Sequence, residues 1–207
     1  GHHLQMDFRW RSAKANSVSH GTVGSSWHSV GMTKWIIGGH VDTADAVAQA
    51  AARGADIAQI SLGDPQSWKK PVCGFPGGAQ ALKEAAEEAG LKLVVHSAFV
   101  INVASLNNRI RIPSRKLLQQ TLDAAAEVGA TGVVVHGGHV RAGEPIEKGQ
   151  DNWRKAIDGF EFPVPLLVEN TAGGDNAMAR FLERLSGTWE AIGAASGHEN
   201  VGFCLDT

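Results

Sequence analysis

Cysteine is scarce in this chain, with only Cys73 and Cys204 among 207 residues. One lies in a loop dense in Pro and Gly and the other inside an apolar run. That excludes a disulfide framework and fits the reduced thiols of a cytoplasmic protein. No apolar stretch is long enough for a membrane span or for the core of a signal peptide. An excess of basic charge is missing too: 19 Lys and Arg face 21 Asp and Glu, for a net charge of -2. A globally basic nucleic-acid binder is thereby excluded, although a local basic surface is not. Solenoid repeats are absent, and GGHVDTAD, which follows the first apolar run, is not the G-x-G-x-x-G that a dinucleotide-binding sheet would require there.

What the chain does have is a regular alternation of short apolar runs and Ala-rich or amphipathic stretches, at a length suited to one α/β domain. Residues 1–34 stand apart. They are rich in Ser and Gly, carry four Lys or Arg against one Asp, and read as a disordered extension with Met32 as a plausible start. His2, His3, His20 and His28 fall in this segment and read as solvated or tag-derived, not as ligands. Strands are expected at 35–41, 57–62, 91–96, 131–136, 164–169 and 200–206. Helices are expected from about 43 to 53, 79 to 89, 113 to 128, 151 to 159 and 176 to 193. Met178 and Trp189 fall on the last of these as core residues. The long, polar, glycine-bearing loops follow the strands and the returns from helix to strand are short, which is the loop asymmetry of a TIM barrel. A doubly wound open sheet is the alternative.

Five of the six strands stop on a residue able to hold a metal: His40, His96, His136, Glu169 and Asp206. The last four are separated by 40, 33 and 37 residues, one strand plus one helix per step. In a parallel fold all strand C-termini share one rim, so these residues converge there. Two imidazoles and two carboxylates make a mixed nitrogen and oxygen ligand set suited to zinc, or to manganese or iron. A His at a strand end can equally bond a neighbouring carbonyl. A carboxylate ending a wholly buried run, such as Glu169 after PVPLLV, must be paired or metal-bound.

The segments IGGHVD, HSAFVINVAS, VVVHGGH, VENTAGGDNAMAR and VGFCLDT resemble, in order and spacing, the endonuclease IV family of abasic-site DNA endonucleases, over residues 35–207. GDPQSWK is similar to that family's DNA-probing loop. The resemblance implies a TIM (β/α)8 barrel, of which about six β/α units are present in 35–207. It also implies three zinc ions and cleavage of the phosphodiester on the 5′ side of an abasic site in double-stranded DNA, as in base excision repair by a protein that is a monomer when full length. It assigns His96, His136, Glu169 and Asp206 as metal ligands, with Glu169 bridging two ions and so the catalytic carboxylate. His40 becomes an orienting neighbour of the ligands, and His139, three residues after His136, is either a further such neighbour or simply exposed. Candidate DNA contacts are Gln66, Trp68, Phe99, Asn102, Arg109 and Arg111, with Arg115 and Lys116 continuing the basic run.

The chain departs from the family pattern in ending before the further His, Asp and Glu ligands expected beyond CLDT. Gln66 stands where some relatives carry arginine, and Phe99 where relatives often carry tyrosine. The expectation is therefore that strands seven and eight are missing, that the 207 residues by themselves are a poor catalyst, and that activity attaches to a longer parent. Two other readings stay open: a sugar isomerase or epimerase built on the same barrel around one divalent metal, and a non-catalytic fragment.

Overall fold

The computed structural model describes residues 35–171 and 173–206. The expected extension 1–34, with its four histidines and Met32, lies outside the described residues. Six strands alternate with five α-helices: β1 Gly38–His40, α1 Ala46–Ala52, β2 Ile57–Ile60, α2 Gly78–Glu88, β3 Lys92–His96, α3 Asn108–Glu127, β4 Val133–His136, α4 Ile146–Ile157, β5 Leu166–Glu169, α5 Leu182–Gly193 and β6 Val201–Cys204. The strands form one sheet in sequence order, every neighbouring pair parallel. That order, with a helix in each crossover, is the barrel pattern; a doubly wound sheet would reverse its order partway.

Successive strand residues point to opposite faces, and the sequence uses both. Leu93 and Val95, Val133 and Val135, and Leu166 and Val168 join the large core shared with Leu82, Leu118, Leu122, Trp153, Ile157 and Ile192 of the helices. The residues between them, Val94, Val134 and Leu167, form a separate inner cluster with Ile57 and Cys204. Such stacked inner layers fill a TIM barrel, so the centre is packed and not a pore. Burying each of these aliphatic side chains contributes about 1.5–3 kcal/mol.

Several boundaries differ from the sequence expectation. Helix α3 begins at Asn108, and Pro113, expected to open it, lies inside. Asn107 is the true cap, its Oδ1 accepting from the Arg109 amide at 2.9 Å. Pro113 is exposed, so the Arg109 carbonyl that it leaves unbonded can be met by water. Helix α4 begins five residues earlier than expected, and α5 starts only at Leu182 because 176–181 is occupied in bracing the β4 loop. Met178 is buried but off the helix, and Trp189, expected in the core, is 41% exposed with its ring edge against Phe203.

Strands β1 and β6 lie at the two ends of the sheet order, and each pairs on one side only among the described residues. Trp35 and Ile37 beside β1, and Leu182, Trp189 and Leu205 around β6, are exposed. Open parallel edges flanked by apolar side chains template association. The 207-residue chain is therefore expected to self-associate in a concentration-dependent way in light scattering. A monodisperse monomer at high concentration would contradict this.

Candidate metal centre at the strand rim

The inner cluster continues upward by one repeat of two residues on each strand. Val94 leads to His96, Val134 to His136, Leu167 to Glu169 and Cys204 to Asp206. A two-residue step keeps a side chain on the same face, so the polar layer sits directly over the apolar one. The layer is staggered along the sheet. His136 pairs level with Glu169, whereas His96 pairs with Val134, and Glu169 pairs with Cys204. This stagger is the tilt that closes strands into a barrel. It is why Asp206, the next inward residue after Cys204, lies beyond the end of β6.

His96, His136 and Glu169 converge, their ligand atoms all within 4.8 Å of one another. Both imidazole Nε2 atoms stand 3.2 Å from the same carboxylate oxygen, Oε2 of Glu169. The Nδ1 of His96 lies 2.8 Å from the Ser97 carbonyl, which can only accept, so the ring hydrogen is on Nδ1. The Nε2 lone pair of His96 therefore faces a carboxylate oxygen. Two acceptors at that distance repel unless a proton or a cation lies between them. A carbonyl-oriented imidazole presenting Nε2 beside a buried carboxylate is the donor set of a divalent metal site, and these residues fit one. Burial pushes the Glu169 carboxyl up, but where a hydrogen takes the cation's place on each Nε2, bonds and charge from His136 and His96 outweigh it and hold the group at about 2 against an ordinary 4.5.

Asp206 does not join this cluster. It lines the same cavity, exposed, with its main chain clamped to Asn170: the Asp206 amide donates to Asn170 Oδ1 and Asn170 Nδ2 donates to the Asp206 carbonyl, both at 2.7 Å. The cavity, about 880 Å³, is also lined by His40, Gln59, Phe99, His139 and Arg141. His40 makes a 3.2 Å contact through Nδ1 with Oε1 of Gln59, and its carbonyl accepts from Arg53 at 2.8 Å. Sequence reasoning misses Gln59, because strand two ends without an obvious ligand. The side chain is buried, its Nε2 has no hydrogen-bond partner among the described residues, and it pairs with His40 on β1 and with Val94, one repeat below His96, on β3. Counting two residues on from Ile57, an inner-layer side chain, finds it.

The candidate DNA contacts divide. Phe99 is 55% exposed and its ring packs over the imidazoles, with centroids 5.3 Å from His96 and 5.5 Å from His136. Gln66 is exposed at the head of its loop, and Trp68, 47% exposed, shares a groove with Lys70, Arg109 and Lys116. Asn102, Arg111 and Arg115 are placed otherwise. Asn102 is buried with its amide spent on His139. Arg111 donates to the carbonyls of Ser105 and Leu106 and to Asn108, closing the β3 loop, and Arg115 turns inward to the Asn152 carbonyl. In each case the fold itself bonds part of the polar group, and Asn102 at the same time lines the cavity.

Cys204 lies beneath the rim. Burial, reinforced by the negative charges of Glu169 and Asp206, pushes its thiol up to about 12. Only the thiolate alkylates, so iodoacetamide at pH 8 is expected to modify half-buried Cys73 and spare Cys204 until denaturant is added. Peptide mass mapping after equal exposure tests this, and modification of native Cys204 at the rate of Cys73 would refute it.

A family profile described as xylose isomerase-like TIM barrel matches residues 47–207. The chain is 51% identical over 172 residues to the probable endonuclease 4 of Mycobacterium tuberculosis and of Mycobacterium bovis, and 50% identical to that of Mycobacterium leprae. These alignments cover 83% of this chain and 64% of each relative, so the chain spans under two thirds of their length. Among solved structures, endonuclease IV from Thermus thermophilus superposes with a TM-score of 0.64 at 30% identity, over 81% of this chain and 61% of that one. A D-tagatose 3-epimerase-like protein superposes with a TM-score of 0.57 at 18% identity, over 73% and 60%, a likeness of fold alone. Six parallel strands in sequence order, helices in every crossover and a profile match over most of its length establish that this chain belongs to the xylose isomerase-like TIM barrel family.

Proposed function

We propose that the protein to which this sequence belongs is a metal-dependent endonuclease that hydrolyses the phosphodiester 5′ to abasic sites in double-stranded DNA, in base excision repair, and that it acts in the cytoplasm. The observation that carries the reading is the convergence of His96, His136 and Glu169 at the rim of a chain half identical to endonuclease 4 proteins. No described helix is long and apolar enough to cross a membrane.

Zinc, with manganese as the alternative, would be held by His96, His136 and Glu169, with Asp206 as a further ligand. It would lower the pKa of water and offset charge on the phosphate. Attack by water oxygen on phosphorus would break the bond to the 3′ oxygen, leaving a 3′-hydroxyl upstream and a 5′-phosphate on the abasic residue. Glu169 would hold its Oε2 between the two imidazoles throughout. The Phe99 ring would shield them from bulk water, and the Gln66 and Trp68 loop would reach the duplex, where separating a damaged base costs only a few kcal/mol.

The sugar isomerase or epimerase reading keeps only the shared fold in its favour. Protein expressed from the complete reading frame and loaded with zinc is expected to incise a duplex containing one tetrahydrofuran abasic analogue, leaving a 3′-hydroxyl end, and to lose this on chelation. Absence of incision in metal-replete protein would overturn the proposal.

A further inference from the structure

Asn102, from the loop after β3, grips the main chain of residue 139 in the loop after β4. Its Nδ2 donates to the His139 carbonyl at 2.9 Å and its Oδ1 accepts from the His139 amide at 3.1 Å. A main-chain N–H can only donate and a carbonyl can only accept, so these two bonds fix which end of the side-chain amide is nitrogen. The same Nδ2 lies 3.3 Å from Nδ1 of the His139 ring. Nδ1 must then be an acceptor, and in the neutral ring the hydrogen sits on Nε2. The neighbouring backbone leaves this arrangement little freedom: Gly138 has φ +70°, a side chain there would strike Asn102 Oδ1, and the Gly138 carbonyl is held by the Met178 amide at 2.9 Å.

His139 lines the cavity that also holds His96, His136 and Glu169, and Arg141 on the same loop lines it too. Among the described residues the Arg141 guanidinium has no carboxylate partner; only its main chain is engaged, the amide donating to Glu144 Oε2 and the carbonyl accepting from the Glu144 amide. The loop thus lines the cavity with an imidazole whose Nε2 carries the hydrogen and, among the described residues, a cation without a carboxylate partner. That pairing recognises an anion presenting several oxygens.

We propose that His139 donates through Nε2–H to a phosphate oxygen of the bound nucleic-acid strand, with Arg141 beside it, and that Asn102 is the positioning residue that holds His139 in the donating tautomer. This rests on the phosphodiester reading above and goes beyond it by assigning the β4 loop a part in gripping the backbone. An Asp at position 102 would present only acceptors and would pull the ring hydrogen to Nδ1.

Two measurements test the assignment. In the 207-residue chain labelled with 15N-histidine, the His139 signals, identified by their loss in His139→Gln, are expected to show a hydrogen on Nε2 and none on Nδ1. In Asn102→Asp the pattern should reverse. A hydrogen on Nδ1 in the unmodified protein overturns the tautomer assignment. In protein from the complete reading frame, His139→Ala is expected to raise KM for abasic duplex roughly tenfold with kcat nearly unchanged. His139→Gln, which keeps a donor at similar reach, should recover most of that loss. An unchanged KM in His139→Ala overturns the phosphate contact. If the unmodified protein fails to incise at all, the endonuclease reading falls and takes the phosphate contact with it, while the tautomer result stands by itself.

Discussion

Replacing Glu169 with Gln is expected to empty the metal centre and reduce incision by at least about a thousandfold, with the fold retained. The carboxylate is buried, and a single oxygen of it faces both imidazoles at 3.2 Å. An amide matches its shape but removes the charge that offsets a bound cation at a largely buried position on the cavity wall. In the metal-free protein the same change should alter the pH dependence of stability. Because the Glu169 carboxyl is held at about 2 against an ordinary 4.5, its contribution is fully present above the unfolded-state value and is lost as pH falls towards 2. Urea midpoints of stripped protein should therefore decline over that interval, and the decline should be shallower in Glu169→Gln. Metal content by plasma emission and incision at saturating substrate are the primary readouts. A variant that keeps the full metal complement would show that Glu169 is not a ligand.

Trp153→Ala is expected to cost about 3–5 kcal/mol of stability. Trp153 is fully buried on α4, where it packs with Ile157 and Ala156 against the sheet, and its Nε1–H donates to the Gly137 carbonyl at 2.8 Å. Gly137 follows His136 directly and packs so tightly on Ala179 that an added Cβ would sit 2.6 Å from the Cβ of that alanine. The indole thus secures the backbone that aims a candidate ligand. Trp153→Phe keeps most of the packing and leaves the Gly137 carbonyl without its donor, so about 1–2 kcal/mol is expected. Zinc affinity in the phenylalanine variant should fall roughly 10- to 100-fold, the range seen when the outer support of a ligand is removed. Chemical denaturation and competition against a chromophoric chelator separate the two losses. Unchanged zinc affinity alongside lowered stability would confine Trp153 to packing.

Much of this arrangement was legible in the sequence because strands carry their orientation in a period of two. Once Val134 is inward, so is His136, and the same inference places Glu169 from Leu167. Parity also finds Gln59, overlooked because a neutral amide at a strand end does not suggest a ligand. Two kinds of feature were hidden. Helix starts depended on which side chain could accept from the first free backbone amides: Asn107 could, whereas the more conspicuous Pro113 has no acceptor and lies inside the helix. The fates of Asn102 and Arg111 depended on which carbonyls the folded loops would bring near, a three-dimensional fact that polarity and position along the chain do not encode. Trp153 was hidden for a related reason: it lies in a mostly polar helix, where its burial follows from the sheet it faces.

The stagger of the sheet has a consequence for how such a site can change over time. One residue inserted between Leu166 and Val168 would turn Glu169 out into the helical layer and leave its oxygen unable to meet either imidazole. Two inserted residues would restore its orientation but lift it about 7 Å along the strand. Lengthening of the Pro- and Gly-bearing segment after β2 is open to trial, whereas the β4 loop, clamped by Asn102 and packed on Ala179, and the short strands beneath the imidazoles tolerate no change in length.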